Sequence, residues 1–472
     1  MGHVHGVARA PRVLNAAAAS LSLSVLFVAV YGATAWLTSL RGDVGTWSFE
    51  WERSLPLVPW LIVPYMSLDL FFVAAPFLCA DPAELRAFRR RMTAAILVAG
   101  AVFLAMPLQF AFPRPEPAGW TGPIFGVLHG FDRPYNMFPS LHIAIWMILA
   151  GTYHRHTRGL VRVLVHGWFV LVAASTVLTY QHHAVDVAGG FVLALLCYYL
   201  IPEHELHGVH VTRQPVTTNL RIAVHYAAGA ALLAGLAGWF LPLAWPAVSL
   251  TIVAGAYSGL YGGIARKHDG RLPLAARVVL APWLIAQYVS LIHYRRRCPP
   301  WNAVVPNVWI GRRLTDREAA TAVKQGVTAV LDLTGEFSEA GPFLDLEYLN
   351  LQVLDLTAPT PGQLRAAVDF ISTQRETGIV YVHCKIGYSR SAAVLGAWLL
   401  DAGLAATADE AIALLRAARP TLVVRPEACA ALRAFAAIER PFSRTSTIEI
   451  RLKPDATTRR VNEVRLRPDA TA

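Results

Sequence analysis

The sequence predicts a multi-span α-helical membrane bundle followed by a cytosolic α/β domain. Three observations predict it. Hydrophobic residues make up 55% and charged residues 15% of 472 residues, where soluble domains carry about 25% charged residues. Apolar runs near bilayer length recur through the first 300 residues. Beyond residue 298, short β-type runs alternate with helix-type runs, the pattern of a sheet covered by helices. The composition excludes a disordered chain and argues against an ordinary soluble enzyme throughout. Lys+Arg 42 against Asp+Glu 31 gives a formal net charge of +11. In so apolar a chain, this charge reads as arginines holding loops on the cytoplasmic side rather than as a nucleic-acid surface. Five scattered cysteines (Cys79, Cys197, Cys298, Cys384, Cys429) without a CxxC pair argue against a disulfide framework and against zinc.

The elements follow in order. Two arginines precede an apolar run over 16–40, too long for a signal-peptide core and read as a retained span. Further runs cover 57–79, 92–112, 138–153, 163–180 and 185–201, then an Ala/Gly-rich pair at 222–240 and 243–261. A ninth, 278–294, holds Pro282 and Gln287 and is flanked by Arg277 and by Arg295, Arg296 and Arg297; it reads as an interfacial or re-entrant helix. Arg86, Arg89, Arg90 and Arg91 follow the second run, Arg155, Arg158 and Arg162 the fourth, and Arg266, Lys267 and Arg271 the eighth. The positive-inside rule then places the N-terminus and these loops in the cytoplasm, and the loops after spans one, three and five outside. The expected divisions are a six-span domain at 1–201, an extra hairpin with the interfacial helix at 202–298, the α/β domain at 299–441 and a disordered basic tail at 442–472. Within the tail, EIRLKPDATTRR (449–460) is echoed by EVRLRPDATA (463–472).

Three polar clusters fall on the predicted outer face: Arg114 with Pro115; Arg133-Pro134, then Phe138-Pro139-Ser140-Leu141-His142; and His182-His183-Ala184-Val185-Asp186. His182 and Asp186, four apart, share a helical face. A carboxylate so placed holds an imidazole in one tautomer and stabilises its charged form. A second histidine opposite would protonate a leaving group. Arginine forks match phosphate oxygens, and Ser140 sits where a helix N-terminus offers backbone donors to an anion. Such side chains are costly at membrane depth, so three clusters on one face point to a chemical site rather than to interfacial caps. Asp69, inside the second run, is either a polar contact to that site or a carboxylate bonded to a neighbouring helix, and is not counted among the candidates.

The stretch 50–201 resembles the type 2 phosphatidic acid phosphatase (PAP2) superfamily, and within it the branch of inositol phosphorylceramide synthases and their bacterial relatives. FPSLH (138–142) and STVLTYQHHAVDVAGG (175–190) carry the resemblance. It implies that His182 attacks phosphorus and forms a phosphohistidine with Asp186 as partner. It also implies that His142 protonates the departing oxygen, and that Arg114 and Ser140, with Arg133 nearby, bind phosphate. Pro107, Leu141 and Thr176 stand where the superfamily usually has Lys, Gly and Arg. The loss of cations puts simple phosphatase activity in question and leaves lipid phosphotransfer open: water as acceptor gives hydrolysis, an alcohol gives transfer.

In the C-terminal part, VTAVLDL (327–333) reads as a strand, LEYLNLQVLDL (346–356) as one or two, 361–376 as a helix starting at Pro361, GIVYVHC (378–384) as a buried strand and 391–403 as a helix stopped by Gly403. The turn between the last two is His383-Cys384-Lys385-Ile386-Gly387-Tyr388-Ser389-Arg390-Ser391. A loop that short at a helix N-terminus turns its amides inward as an anion nest. The same field makes Cys384 a thiolate, Arg390 can grip two phosphate oxygens, Gly387 lets the backbone pass close to the anion, and Ser391 can donate to the thiolate. Residues 300–440 resemble the dual-specificity branch of cysteine-based phosphatases through this HCxxGxxRS motif. By that resemblance Asp355, in QVLDLTAPT, is the general acid, with Asp345 and Asp332 weaker candidates, and Arg419-Pro420 is the downstream Arg-Pro. Lys385 is either a charge on the pocket rim, hinting at a lipid substrate, or a solvated lysine.

These readings imply an integral, multi-pass protein of a bacterial inner membrane with its C-terminal domain in the reducing cytoplasm. The expected substrate is a phospholipid or other lipid phosphate, with no nucleic-acid partner, no metal and no cofactor; the oligomeric state is open. The alternative is a lipid-sensing membrane protein whose cytosolic domain dephosphorylates proteins.

Overall fold

A computed structural model describes residues 9–114, 116–202, 219–260 and 262–438. Pro115 and the tail repeat lie outside the described residues. The chain forms two compact units, one within Met1–Arg213 and Leu274–Ala281, the other within Gln214–Pro273 and Pro282–Ala472.

The first unit is a helical bundle: α1 (Arg9–Ser39), α2 (Ile62–Leu78), α3 (Pro82–Ala105), α4 (Gly122–Phe131), α5 (Leu141–His156), α6 (Gly159–Leu178) and α7 (Ala184–Leu200). Its core joins Phe72, Met92, Ile96, Phe103, Ile148, Leu149, Phe169, Val172 and Leu193. Between lipid-facing helices the hydrophobic effect contributes little, so close contact depends on small residues. Ala95, Ala99, Ala144 and Ala194 supply it, and Gly100 does so most tightly: a Cβ there would sit 2.5 Å from Val30.

The expected loop at 86–91 is helical instead. Asp81 caps α3, its Oδ1 accepting from the amides of Ala83 (2.8 Å) and Glu84 (2.9 Å), with Pro82 at the first position. Helix α3 therefore starts ten residues before the apolar run and ends at Ala105. Arg91 lies buried within it, its Nε donating to the Ile201 carbonyl at 3.0 Å. The short α4 was not expected. Among the described residues, four helices are long and apolar enough to cross a bilayer: Arg12–Ser39, Pro59–Leu78, Gly159–Leu178 and Leu220–Ala237. Ala184–Leu200 and Ala244–Tyr257 are apolar but shorter.

The second unit opens with a hairpin of α8 (Leu220–Ala237) and α9 (Ala244–Tyr257). Its tip carries exposed Trp239 and Phe240. After α10 (Leu274–Val279), which packs in the first unit, comes α11 (Ala281–Arg295). The α/β domain follows as β1 (Trp301–Val305), β2 (Val308–Arg312), α12 (Asp316–Lys324), β3 (Val327–Asp332), β4 (Glu347–Asn350), α13 (Pro361–Gln374), β5 (Ile379–Cys384), α14 (Ser389–Asp401), α15 (Ala408–Ala418) and α16 (Pro426–Ile438). The strand order is β1-β2-β5-β3-β4, parallel except for β1. Side chains alternate across the sheet. Leu331 and Val382 join one core with Trp398, while Val330 and Tyr381 join another with Phe343. Both faces are covered, as the near-continuous apolar reading of β5 requires. The central strand β5 delivers Cys384 to the C-terminal edge, where open parallel sheets bind their ligands.

Candidate active sites

In the bundle, His142 and His182 line one cavity of about 450 Å³, mostly walled by apolar side chains that include Phe27, Phe72 and Leu128. Ser140 caps α5, its Oγ accepting from the Ile143 amide (3.2 Å) while its own amide donates to the Asp186 carbonyl (2.9 Å). That seats the loop before α5 against the first turn of α7. Gly189 and Gly190 permit the approach: a Cβ on Gly190 would lie 2.5 Å from the Ser140 carbonyl, and one on Gly189 would strike the Phe138 ring. The His142 ring stacks on Tyr65, centroids 4.2 Å apart. His182 Nδ1 lies 3.7 Å from Asp186 Oδ2, and among the described residues His142 Nε2 and His182 Nδ1 have no hydrogen-bond partner.

The neighbouring His183 is fully engaged. Its Nδ1 is 2.6 Å from Glu52 Oε2, and its Nε2 accepts from the Ala111 amide at 3.0 Å, which fixes the proton on Nδ1 when the ring is neutral. Of the two adjacent histidines, only His182 has a ring nitrogen to spare. Arg114 is bound to Asp132 through its carbonyl and its carboxylate (3.4 Å to Oδ2), and Asp132 itself lines the cavity. Arg133, expected beside the phosphate, is instead exposed and donates to Ser39 Oγ, at the end of α1, at 2.9 Å. The structure does not bring it to the histidines. Sequence reasoning missed Glu52 and Tyr65 and set aside Asp69, which lines the cavity. The signal for Asp69 was its charge inside an apolar run.

In the α/β domain, α14 begins at Ser389, two residues before the expected start, so Arg390 lies in its first turn. Gly387 has φ +74°, and a Cβ there would strike the Gly311 carbonyl. Cys384 is buried; burial raises its thiol pKa, but Arg390, the Ser391 hydroxyl and the amides of Ser391 and Tyr388 outweigh this and bring it below the ordinary value. Arg390 is gripped by Glu336 in a fork (Nη2–Oε1 2.7 Å, Nη1–Oε2 3.2 Å), donates to the Val353 carbonyl (2.8 Å) and reaches Asp355 Oδ1 at 3.2 Å. Lys385 pairs with the other Asp355 oxygen. Burial pushes Asp355 up, but Arg390 and Lys385 hold it below the usual carboxylate range. Arg419 braces the loop from behind, donating to the Ile386 carbonyl at 3.1 Å and to Asn302 Oδ1 at 2.6 Å.

Among the three aspartates considered, only Asp355 meets the loop's cations. Asp345 is exposed on a turn. Asp332 is fully buried and bound by Lys267, by Tyr348 OH (2.7 Å) and by the Thr334 amide and hydroxyl (2.7 and 2.8 Å). Asp332, Glu339 and His383 bring their ligand-type atoms within 4.8 Å of one another. The Lys267 ammonium already supplies that cluster with a cation, and His383 Nε2 lies 2.8 Å from Glu339.

Comparison with known proteins finds matches for both parts of the chain. Residues 38–200 match the family model of the PAP2 superfamily, and residues 308–438 match that of the dual specificity phosphatase catalytic domain. The phosphatidylglycerophosphatase and protein-tyrosine phosphatase 1 of Mus musculus is 34% identical over 102 residues, 21% of this chain and 50% of the relative. The tyrosine-protein phosphatase CDC14 homolog of Schizosaccharomyces pombe is 29% identical over 107 residues, 22% of this chain and 20% of the relative. The chain thus spans half the length of the one and a fifth of the other. A crystal structure of PTPMT1 aligns with 25% identity and TM-score 0.27, covering 29% of this chain and 94% of that one. The chain therefore joins a region that matches the PAP2 superfamily to one that matches the dual specificity phosphatase catalytic domain, both phosphatase families.

Proposed function

We propose that this chain is an integral membrane enzyme that acts on lipid phosphates at two covalent sites, a phosphohistidine site in 1–201 and a cysteinyl-phosphate site in 299–441, with 202–298 between them. One observation carries the lipid reading: His142 and His182 share a cavity whose walls are mostly apolar, suited to an acyl chain beside a phosphoryl group. In support, the mouse relative's name couples a phosphatidylglycerol phosphate with phosphotyrosine. The loop-charge bias and the need of a thiolate for reducing surroundings favour a bacterial inner membrane with the cysteine site in the cytoplasm.

At the membrane site, neutral His182 attacks phosphorus through Nε2, the nitrogen turned away from Asp186. The P–O bond breaks as His142, which takes up a proton when the phosphate anion enters the cavity, gives that proton to the leaving oxygen. Asp186 stabilises the positive charge on the phosphohistidine ring. Arg114, once phosphate competes with Asp132, and the α5 N-terminus at Ser140 hold the oxygens. Water or an alcohol then takes the phosphoryl group. At the cysteine site the Cys384 thiolate attacks, Arg390 and the amide ring of the loop around Gly387 bind the equatorial oxygens, and the protonated Asp355 carboxyl gives its proton to the leaving oxygen. The Asp355 carboxylate then takes a proton from water, which attacks the cysteinyl phosphate. Ser391 donates to the released thiolate, and Lys385 adds charge at the rim.

The test assays His182→Ala and Cys384→Ser separately in lipid vesicles containing a lipid phosphomonoester. Each variant is expected to abolish one of two distinguishable turnovers, with a phosphohistidine and a cysteinyl phosphate trapped in the wild type. Unchanged lipid turnover with His182→Ala overturns the membrane half. A Cys384 site that turns over phosphopeptides but no lipid replaces this reading with a protein phosphatase carried on a lipid-sensing bundle.

A further inference from the structure

The segment between the two family matches, residues 201–307, belongs to neither family model. Yet it meets the cysteine site at four points, all within the second unit. Tyr257, the last residue of α9, donates its hydroxyl to the Asp355 carbonyl at 2.7 Å. Asn219, which caps α8 through Oδ1 to the Ile222 amide (3.3 Å), donates Nδ2 to the Leu356 carbonyl at 3.1 Å. The two hairpin ends are themselves tied, the Asn219 amide donating to the Tyr257 carbonyl at 2.9 Å. Gln287, buried on α11, accepts from Lys385 Nζ at 2.9 Å. Lys267 pairs with Asp332 at the end of β3, the strand next to the one that ends in Cys384.

The backbone these groups hold is strained. Leu356 has φ +60°, a left-handed conformation that a leucine adopts at a cost and keeps only when its surroundings enforce it. Both carbonyls flanking the strained bond, those of Asp355 and Leu356, are held by side chains of the hairpin base. Within the matched domain, the carboxylate of Asp355 meets two cations, Arg390 and Lys385, which it must release when phosphate arrives, and its Oδ1 accepts from the Leu356 amide at 3.1 Å. Once the cations turn to phosphate, that amide belongs to the strained residue itself, and the hairpin base is what holds the backbone on both sides of it.

We infer that Tyr257 and Asn219 are positioning residues for the general acid of the cysteine site, and that Gln287 positions the rim lysine. The phosphatase is thus completed by a helical hairpin from outside its family domain. This rests on the assignment of Asp355 as the acid. A group that places the acid matters most when the leaving oxygen is a poor one, because a good leaving group departs without a proton.

The test uses the full-length chain in detergent, with p-nitrophenyl phosphate as the easy ester and an alkyl phosphate as the difficult one. Tyr257→Phe is expected to lower kcat on the alkyl ester about tenfold and on the aryl ester less than about threefold, a weaker copy of the pattern set by Asp355→Asn. Asn219→Ala carries the same expectation should Tyr257→Phe fail to fold. Gln287→Leu is expected to raise KM about threefold or more on both esters, with kcat retained. Equal losses on both esters in the Tyr257 and Asn219 variants, or no loss at all, while Asp355→Asn keeps its preference for the aryl ester, overturn the inference. An Asp355→Asn variant without that preference overturns the acid assignment itself, and the inference falls with it.

Discussion

Lys267 places its ammonium on the carboxylate of Asp332, and neither side chain has any exposed surface. The two are 65 residues apart in the chain. The pair closes the end of β3, where Asp332 lies opposite His383, the residue before Cys384. A buried charge deprived of its partner is among the most costly single defects.

Lys267→Met is accordingly expected to destabilise the second unit by about 3–5 kcal/mol, read as a lower midpoint in urea or thermal unfolding. Asp332→Asn on that background should recover much of the loss. The sign of the pH effect follows from the depressed pKa of Asp332, where burial raises it but Lys267 and His383 outweigh burial. The stability this carboxylate contributes is present above the ordinary carboxylate value of about 4 and is lost as pH falls through its lower folded value. In Lys267→Met the folded value rises, so acid unfolding should begin at a higher pH than in the wild type.

The cysteine site should show its best kcat/KM on the acid side of neutrality. Cys384 is held below the ordinary thiol value, so the thiolate persists as pH falls. Asp355 is held below the usual carboxylate range in the free chain, so its proton is lost early as pH rises. Bound phosphate engages Arg390 and Lys385 and withdraws their stabilisation of the Asp355 anion. The alkaline limb of kcat should therefore lie at higher pH than that of kcat/KM, and Asp355→Asn should remove that limb from both. Coincident limbs in the wild type would show that phosphate leaves the aspartate's partners in place.

Glu336→Gln should weaken phosphate binding without displacing the nucleophile. Glu336 holds Arg390 in a fork and also accepts from the Gly335 amide at 3.0 Å. Loss of its charge loosens the guanidinium. A rise in KM of about tenfold is expected, equal to about 1.4 kcal/mol of binding, with the thiolate pKa shifted little; thiol titration with a haloacetamide checks the second point.

Adjacent histidines should separate cleanly. On a Cys384→Ser background, His182→Ala should keep its melting temperature and lose at least about a hundredfold in lipid turnover. His183→Ala should instead lower the melting temperature, because Glu52 is left buried without its partner, at a cost of about 1–3 kcal/mol. Pairing it with Glu52→Gln should restore much of that stability.

What the sequence made legible was local. The HCxxGxxRS turn, the strand before it and the helix after it lie within one stretch, and their periodicity and glycine signal the nest directly. His182 and Asp186 were readable for the same reason. Partners distant in sequence were not: Glu52 meets His183 across 131 residues, and Gln287 meets Lys385 across 98. Only the folded chain brings these together. The arginine run at 86–91 was misplaced because hydropathy marks where a helix becomes apolar, whereas Asp81, Pro82 and Glu84 mark where it begins. Where the Arg133 fork points was not readable either, because a cation near a site in sequence says nothing of its direction; it meets Ser39.

The paired glycines of α7 carry a further consequence for how the histidine cavity tolerates change. One strikes an aromatic ring that can swing aside; the other strikes a main-chain oxygen that cannot. Even a methyl group at Gly190 would act as a wedge between Ser140 and α7, levering one whole rod of the bundle and prising His142 and His182 apart. The gap across which phosphorus would change hands is gauged, in the end, by the bare hydrogens of two residues with no chemistry of their own.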